Sequence, residues 1–444
     1  MGGLTLVNMV STVKACKWVV FLAFLTLCSS FVKAELVIRV SEGNDKPTTI
    51  AVPPIVLKGV RLNEDISSIV EADLTRSGLF KTIPREDMLA FPEGVGDIYF
   101  RDWRILGSEY LVTGALSYVD SDELILRLRF SLLDVNAQKV IFSHSVTGTD
   151  KQLRDLAHAT SDKIYEKITG IRGAFSTRLA YVTAERSNGQ FVYKLNVSDS
   201  DGAREQLMLR SSEPIMSPAW SPSGDELAYV SFESGRPAIY RQKLATAARQ
   251  KLTNFKGLNG APAWSPDGNQ LALVLSKDGN PEIYLLNLAE NKLKRLTRHF
   301  AIDTEPTWMP DGEHLLFTSD RGGSPQIYKL TVASGAVERI TFQGNYNARP
   351  SLSPDGRTLV MVHREKSVFH IATLDLKTER MLQLTETPLD ESPTVAPNGA
   401  MLIYATKQGD RGILSAVSLD AGVRYDLPAK KGDVREPAWS PFLR

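Results

Sequence analysis

Short apolar segments alternate with turn residues through about the last three-fifths of the chain, and they recur at a nearly constant interval. Each unit contains a prolyl turn such as Ser265-Pro266-Asp267-Gly268. The prolines of the successive turns are Pro222, Pro266, Pro310, Pro354, Pro397 and Pro441. The steps between them are 44, 44, 44, 43 and 44 residues. A repeat of this length with four short strands per unit is typical of a β-propeller.

Each repeat follows the same four-strand pattern. The first strand ends in the prolyl turn, often after a tryptophan such as Trp264, and the second strand is apolar, as in Leu271-Ala272-Leu273-Val274. Ile283-Tyr284 marks the third strand of this repeat, and Leu296-Thr297 marks the end of the fourth. Proline presets φ in the turn and glycine accepts the left-handed conformation that completes it. We expect the tryptophans to pack between blades.

The two ends of the repeat region each contain part of one blade. Residues 179–182 and 192–193 read as second and third strands, but no tryptophan strand precedes them. Residues 437–441 read as a first strand with nothing after it. Joining the two halves completes a sixth blade and removes open sheet edges, which otherwise promote aggregation. The sequence therefore predicts a six-bladed β-propeller over residues 171–444, closed by the C-terminal strand.

Residues 35–170 have a mixed pattern that predicts an N-terminal α/β domain. Strands are expected at residues 36–40, 49–52, 110–119, 124–133 and 140–146. In residues 124–133, leucine and phenylalanine alternate with mostly polar side chains, which predicts one buried face. One helix is expected to begin at Asn63 as its N-cap and to end at Gly78, and a second to run from Asp150 to Gly170.

The first 34 residues have the layout of a secretory signal peptide. Lys14 and Lys17 precede an apolar run over residues 18–28, and Val32-Lys33-Ala34 forms a small-residue exit. The run is short for a membrane span. We predict export to the periplasm and cleavage between Ala34 and Glu35. Two alternatives stay open: translation from Met9, and a lipoprotein signal at Cys28, where Leu27 is a poor fit.

Cysteine content and charge narrow the classes of function. Both cysteines, Cys16 and Cys28, lie in the signal, so a chain that starts at Glu35 needs no disulfide. Removal of the signal's three basic residues changes the formal net charge from +1 to −2. This near-neutral balance argues against nucleic-acid binding and against polybasic attachment to a membrane.

The sequence gives little support for catalysis. The nearest match to a nucleophile elbow, Gly322-Gly323-Ser324-Pro325-Gln326, lacks the final glycine and falls in a propeller loop. The six histidines show no paired helical spacing. We predict no catalytic residues, no cofactor and no metal site. A hydrolase or lyase with residues from several blades in the central funnel is the alternative, because spacing cannot reveal such a site.

Charged and polar residues gather in loops on one predicted face of the propeller. Loops before the first strands share a face with loops between second and third strands. The residues expected there are Glu213, Asn259, Asp303, Thr304, Glu305, Arg349, Asp390, Glu391, Arg435 and Glu436. Any one of them can be a solvated loop charge. As a set around a central funnel, they predict a binding surface on a rigid scaffold.

Several motifs together resemble one family. They are Phe232-Glu233-Ser234-Gly235-Arg236, Asn259-Gly260-Ala261-Pro262, Thr304-Glu305-Pro306-Thr307-Trp308 and the ending Pro437-Ala438-Trp439-Ser440-Pro441-Phe442-Leu443. With the signal, the α/β domain and six repeats, the chain resembles the TolB family, the periplasmic propellers of the Tol-Pal envelope system of Gram-negative bacteria. The resemblance covers the whole chain after the signal.

The resemblance implies a non-enzymatic adaptor with two protein partners. TolB-like proteins bind Pal, the peptidoglycan-associated lipoprotein, on the propeller face and TolA through the extreme N-terminus. They help to maintain outer-membrane integrity and constriction at cell division, and other envelope proteins are possible partners. No nucleic acid and no direct membrane span are implied. A scaffold for outer-membrane protein assembly is a third alternative, which leaves the α/β domain unexplained.

The implied partner sites can be placed on this chain. The implied Pal contacts are Leu258, Asn259, Ala261, Thr304 and Glu305, to which the face adds Glu213, Arg349 and Glu391. Relatives often have histidine at the position of Leu258. The implied TolA segment is Glu35, Leu36, Val37, Ile38, Arg39 and Val40. This segment either is an edge strand of the α/β domain, or docks locally and is released to pair with TolA.

Overall fold

The computed structural model describes residues 38–40, 47–62, 64–120, 124–420, 422–428 and 430–443. The predicted signal peptide, including Ala34 and Glu35 at its cleavage site, lies outside the described residues. In the described part of the chain, no helix has both the length and the hydropathy needed to cross a bilayer.

The N-terminal part combines a mixed sheet with three helices. Its strands are β1 (Ile38–Val40), β2 (Thr48–Ala51), β3 (Val56–Lys58), β4 (Phe80–Thr82), β5 (Tyr110–Asp120), β6 (Ile125–Asp134) and β7 (Lys139–Thr149). Its helices are α1 (Ile66–Arg76), α2 (Phe100–Ile105) and α3 (Leu153–Thr169). The sheet order is β4-β2-β5-β6-β7, with β3 paired to β5, and β1 belongs to another sheet.

Alternation along β6 builds the core of this domain, as the sequence predicts. Leu126, Leu128, Phe130 and Leu132 are buried and pack with residues of α1 and α3. The predicted cap of α1 is wrong: the Asp65 side chain, two residues after Asn63, accepts the Ser67 N–H and caps this helix.

The propeller contains six four-stranded blades. Blade 1 is β11 (Ile215–Trp220), β12 (Glu226–Ser231), β13 (Ala238–Lys243) and β14 (Arg249–Lys251). Blade 2 is β15 (Asn259–Trp264), β16 (Gln270–Leu275), β17 (Glu282–Asn287) and β18 (Lys292–Arg295). Blade 3 is β19 (Asp303–Trp308), β20 (His314–Ser319), β21 (Gln326–Thr331) and β22 (Val337–Arg339). Blade 4 is β23 (Asn347–Leu352), β24 (Thr358–Glu365), β25 (Val368–Asp375) and β26 (Met381–Gln383). Blade 5 is β27 (Glu391–Val395), β28 (Met401–Gln408), β29 (Arg411–Ser418) and β30 (Val423–Asp426).

Blade 6 joins the two ends of the repeat region. It contains β8 (Arg178–Ser187), β9 (Gln190–Asp199), β10 (Gln206–Ser211) and β31 (Asp433–Trp439) in the order β10-β9-β8-β31. Strand β31 runs antiparallel to β8, with Trp439 opposite Leu179. The predicted six-bladed propeller closed by the C-terminal strand is therefore confirmed.

The tryptophans connect neighbouring blades. The Trp264 indole N–H donates to the Ala219 carbonyl at 3.2 Å, and that of Trp308 donates to Ala263 at 3.2 Å. The Trp220 indole donates to Ala438 at 2.9 Å across the closure between blades 1 and 6. Each bond joins one first strand to that of the preceding blade, so these side chains serve in blade packing, as the sequence predicts.

The N-terminal domain packs on the propeller face that carries the prolyl turns. Ser77 at the end of α1 and Tyr165 of α3 line one cavity with Asn398, in the prolyl turn of blade 5. The Asn398 side chain also donates to the carbonyl of Arg172, which lies between α3 and the first propeller strand, at 3.1 Å. The Arg172 guanidinium lies 3.9 Å from the centre of the Phe442 ring. Prolyl turns follow the first strands, so the loops that precede these strands lie at the opposite face. We call that opposite face the open face.

Candidate functional site

The centre of the propeller has one special backbone position in every blade. Every first strand contains a proline, which is Pro218, Pro262, Pro306, Pro350, Pro393 or Pro437. The residue directly before this proline has φ between 44° and 54° in all six blades. These residues, which we call the axial positions, are Ser217, Ala261, Glu305, Arg349, Ser392 and Glu436. A register shift occurs in every first strand at this point. Left-handed backbone is costly for residues other than glycine, so its sixfold recurrence indicates a built-in feature of the repeat.

Arg349 connects four blades through its side chain. From blade 4, its Nε donates to Glu305 Oε1 in blade 3 at 3.1 Å. Its Nη1 donates to Ser392 Oγ in blade 5, and its Nη2 donates to Glu436 Oε1 in blade 6 at 3.3 Å. A side chain that reaches blades 3, 5 and 6 from blade 4 must lie near the propeller axis.

The charges around Arg349 favour its cationic form. Burial lowers the pKa of the Arg349 guanidinium, but the carboxylates of Glu436 and Glu305 outweigh this effect and raise the pKa above its ordinary value. Its side chain keeps 31% of its exposure, and that of Glu436 keeps 10%. Four of the axial residues, Glu305, Arg349, Ser392 and Glu436, thus form a network of ion pairs and hydrogen bonds that joins blades 3 to 6.

Glu305 is fully engaged within the protein. Its Oε2 accepts the Thr318 hydroxyl at 2.9 Å and the Arg349 backbone N–H at 3.0 Å, in addition to the guanidinium contact of Oε1. Glu305 was predicted as a direct partner contact. Its position near the axis fits that prediction, and its hydrogen bonds give it a structural role as well.

Exposed apolar side chains occur in the loops that precede the first strands of blades 2 to 5. Phe300 keeps 87% of its exposure and Phe342 keeps 72%. The members of the arc are Phe255 and Leu258 before blade 2, Phe300 and Ile302 before blade 3, Phe342 before blade 4 and Leu389 before blade 5. Large exposed apolar groups that cluster on one surface mark interaction sites. We call this set the apolar arc.

Of the apolar arc, sequence reasoning identified Leu258 alone. The repeats contain a motif that can indicate these loops from the sequence. In it an apolar residue directly precedes asparagine or aspartate, and a proline lies three residues after that asparagine or aspartate. The motifs are Leu258-Asn259-Gly260-Ala261-Pro262, Ile302-Asp303-Thr304-Glu305-Pro306, Tyr346-Asn347-Ala348-Arg349-Pro350 and Leu389-Asp390-Glu391-Ser392-Pro393. This pattern occurs in blades 2 to 5, so the open face is asymmetric.

The asparagine or aspartate of this motif is buried and holds its loop. The Asn259 amide donates to the carbonyls of Phe255 at 2.8 Å and Gly257 at 3.2 Å, and its side-chain oxygen accepts the Phe255 N–H at 3.1 Å. Asp303 accepts two hydrogen bonds from Arg321, at 2.9 and 2.8 Å. The interpretation of Asn259 as a surface contact is therefore corrected: its side chain is buried, and it positions Phe255 and Leu258.

The other predicted face residues take varied positions. Leu258 is exposed, and its N–H donates to Ser276 Oγ at 2.8 Å. Ala261 and Thr304 are half-buried within their first strands, and Glu213 is exposed in the loop before blade 1. Glu391 is exposed at the start of β27, directly before the axial Ser392, and its charge helps to raise the pKa of Arg349. The hydrogen bond to Ser276, in the loop after β16, agrees with the predicted sharing of one face by the two loop types.

The N-terminal strand pairs with the propeller. Strand β1 runs antiparallel to β30, the outer strand of blade 5, with Ile38 opposite Tyr425 and Val40 opposite Val423. The interpretation of this segment as an edge strand of the α/β sheet is therefore wrong. Glu35, Leu36 and Val37 lie outside the described residues. Sequence periodicity cannot choose between two sheets for so short a strand, because either edge offers the same backbone hydrogen bonds.

A buried ionic cluster joins the two domains beside β30. The His158 Nδ1 on α3 lies 2.8 Å from Asp73 Oδ2 on α1, and its Nε2 lies 3.8 Å from Asp199 Oδ2 at the end of β9. Arg76 pairs with Asp73, and Arg154 pairs with Asp201. Burial lowers the pKa of His158, but Asp73 and Asp199 outweigh it and raise the pKa to about 10.

This cluster also contains the donor set best placed for a metal ion in the described part of the chain. Ligand atoms of Asp73, His158 and Asp201 lie within 4.8 Å of one another. A metal needs a neutral imidazole, whereas His158 holds its proton far above neutral pH. Both carboxylates already pair with arginines. The donor set therefore fits an ion-pair network better than a metal site.

Comparison with protein families identifies both parts of the chain. Residues 36–141 match the family model described as the TolB amino-terminal domain. Residues 165–443 match the model described as the TolB beta propeller domain. The second match alone covers more than half of the chain.

Similar proteins and structures agree with these matches. The chain is 60% identical over 416 residues to the Tol-Pal system protein TolB of Pseudomonas putida, with 93% of this chain and 95% of the relative covered. It is 58% identical over 433 residues to the protein of the same name from a Marinomonas species, covering 97% and 99% of the two chains. The crystal structure of TolB from Acinetobacter baumannii has a TM-score of 0.83 at 41% identity, and covers 92% of this chain and 100% of that chain.

Proposed function

The chain belongs to the TolB family, and we propose that it is a non-enzymatic periplasmic adaptor of the Tol-Pal system. In this proposal it binds Pal on the open face and TolA through its N-terminal segment. These two contacts would help to maintain outer-membrane integrity and constriction during cell division. The first 34 residues would direct export and be removed after Ala34.

The observation that carries the Pal proposal is the apolar arc in the loops of the open face. A protein partner gains most of its affinity from a few large apolar side chains near the centre of an interface. The arc supplies such anchors over blades 2 to 5, and the described contact of α1 and α3 with the propeller is at the opposite face. The predicted contacts Leu258, Ala261, Thr304 and Glu305 lie within or beside it.

The axial charges support selectivity for the partner. Arg349 is held by Glu305 and Glu436, so the funnel is rigid before a partner arrives. A rigid surface binds without a large ordering cost. Exposed Glu213, in the loop before blade 1, would act on the association rate rather than on the final affinity. Separate measurement of the association and dissociation rates of Pal would test this division of roles.

The pairing of β1 with β30 supports the TolA proposal. A three-residue strand on a sheet edge gains few hydrogen bonds, so its release is inexpensive. The released segment could then add to a strand of TolA by the same backbone bonds. Removal of residues 35–46 should abolish TolA binding in a pull-down with purified proteins. Retention of wild-type TolA binding by this variant would contradict the proposal.

A hydrolase or lyase in the funnel is less well supported. The axial set offers two glutamates and one arginine, but Arg349 occupies the space between the carboxylates. General acid–base catalysis needs a carboxyl group within reach of a substrate proton. Glu305 already has three hydrogen-bond donors from the protein. The adaptor therefore agrees better with the geometry.

Calorimetric titration with purified Pal tests the main proposal. Phe300→Ser and Phe342→Ser, each introduced separately, should weaken binding about tenfold or more, since each removes an exposed aromatic anchor. Phe191→Ser is the matched control, because Phe191 is also exposed but lies on β9 of blade 6. Equal affinities for all three variants and the wild type would exclude the apolar arc as the Pal site.

A further inference from the structure

The N-terminal sheet has one face that is largely uncovered. Its other face packs on α1 and α3 through residues such as Leu128 and Phe130. On the uncovered side, Trp103 of α2 covers Leu111 and Leu133 at one end. Beyond that end, an open cleft of about 520 Å³ lies over β5, β6 and β7. In the described part of the chain, no propeller strand pairs with this sheet, and β1 pairs with β30 instead.

Strand register places nine side chains of the uncovered face in a grid. Three residues of β6 stand opposite residues of β5 on one side and β7 on the other. The rows are Thr113, Ser131 and Ser143; Ala115, Arg129 and Ser145; and Ser117, Arg127 and Thr147. Thr113 is buried and its hydroxyl donates to the Pro92 carbonyl at 3.4 Å, so the other hydroxyls are the ones open to a ligand. Lys58 of β3 extends the last row beside Ser117. Hydroxyl groups and cations therefore dominate the face, which we call the hydroxyl–arginine face.

The cations of this face lack a partner among the residues that the structure describes. Lys58, Arg127 and Arg129 make no ion pair or side-chain hydrogen bond with any residue that the structure describes. Arginines elsewhere behave differently: Arg154 and Arg349 each contact two carboxylates or more. No carboxylate occupies the grid, and Glu93 lies at the margin of the cleft. The face thus presents concentrated positive charge on a chain of nearly neutral net charge.

The hydroxyls add a second kind of recognition. Ser131 and Ser143 lie 2.7 Å apart across the strands, and either can donate to the other. Hydroxyl side chains both donate and accept, which suits a ligand that itself carries many hydroxyls. Arginine binds carboxylates in a planar two-point geometry. Arg127 and Arg129 are two residues apart on one strand, so their backbones are roughly 7 Å apart.

We propose that the hydroxyl–arginine face binds a carboxylated polysaccharide, with the arginines on its carboxylates and the serines and threonines on its sugar hydroxyls. An acidic peptide is less suitable, because the grid offers no apolar pocket for its side chains. A membrane surface is also less suitable, because no large apolar side chain of the grid could insert. The proposal adds a ligand to the N-terminal domain and is independent of the Pal surface.

The test is titration of the full chain with a short oligogalacturonate at low salt, followed by calorimetry. Wild-type protein should bind it, and Arg127→Ser with Arg129→Ser should weaken binding tenfold or more. The control variant combines Arg186→Ser with Arg210→Ser, which removes the same charge from exposed positions on blade 6. The control should bind as the wild type does, and higher salt should weaken all binding.

Three further probes separate the ligand classes. A neutral maltooligosaccharide, inorganic phosphate and a polyglutamate peptide should each bind at least tenfold more weakly than the oligogalacturonate. Equal binding of the neutral sugar would overturn the role of the arginines, and equal binding of phosphate or the peptide would overturn the assignment to a polysaccharide. Absence of oligogalacturonate binding to folded wild-type protein, or unchanged binding in the Arg127/Arg129 double variant, would overturn the proposal.

Discussion

Replacement of Arg349 by methionine tests whether the axial network holds the propeller together. Methionine keeps much of the aliphatic length but removes the guanidinium that Glu305, Ser392 and Glu436 share. Two carboxylates would then face each other across the axis without a counter-ion.

The expected cost follows from the burial of the partners. Loss of one partner from a fully buried ion pair costs about 3–5 kcal/mol. Arg349 keeps 31% of its side-chain exposure, so solvent screens part of the charge that remains. We therefore expect the free energy of unfolding to fall by about 2 kcal/mol at neutral pH.

Urea unfolding followed by tryptophan fluorescence measures this difference. Arg186→Met is the control, since Arg186 is exposed on blade 6 and makes one long hydrogen bond. A triple variant that adds Glu305→Gln and Glu436→Gln should recover part of the loss, because it removes the uncompensated charges. Stability of Arg349→Met within about 0.5 kcal/mol of the wild type would refute the reasoning, since surface changes stay in that range.

Two further predictions concern the closure of the propeller and the ionic cluster between the two domains. Deletion of residues 435–444 should lower the free energy of unfolding by about 3–5 kcal/mol. The deletion removes the Trp439 contacts with Thr177 and Thr394 and opens blade 6. A thermal melt of this variant at the wild-type temperature would contradict closure by β31. For His158, whose pKa rises from 6.5 to about 10 on folding, the stabilising contribution is complete below pH 6.5 and is lost as pH rises to 10. The stability difference between wild type and His158→Gln should accordingly shrink between pH 6.5 and 10, by at most about 1.4 kcal/mol per pH unit, in urea titrations at each pH; a constant difference would argue against a charged His158.

The sequence predicts the propeller well because its repeat is local and regular. The prolyl turns, the tryptophans and the unmatched halves at residues 179–193 and 437–441 determine the blade count and the closure. Prediction is poorer where a residue's role depends on a distant partner. Asn259 is the first residue of β15, next to a loop, and nothing in its local sequence distinguishes a buried side chain that holds the loop from an exposed contact.

Contacts between blades cannot be predicted from the local sequence either, because they too depend on distant partners. Arg349 and Glu436 are 87 residues apart, and their pairing follows from ring closure and the left-handed axial backbone. Apart from Leu258, the apolar arc escaped prediction because its members are divided among four separate loops, where one exposed phenylalanine has no special meaning. Strand β1 pairs with β30 nearly 400 residues later, which periodicity cannot indicate.

Hydrogen–deuterium exchange with and without Pal tests the central claim most directly, because it surveys the whole chain at once. The account predicts slower exchange on Pal binding in the open-face loops, residues 254–258, 298–302, 342–346 and 386–389, where the apolar arc lies. The prolyl turns at residues 265–268, 309–312 and 353–356 on the opposite face should exchange at unchanged rates. Protection of the prolyl turns, with the open-face loops unaffected, would contradict the assignment of the open face as the Pal-binding surface.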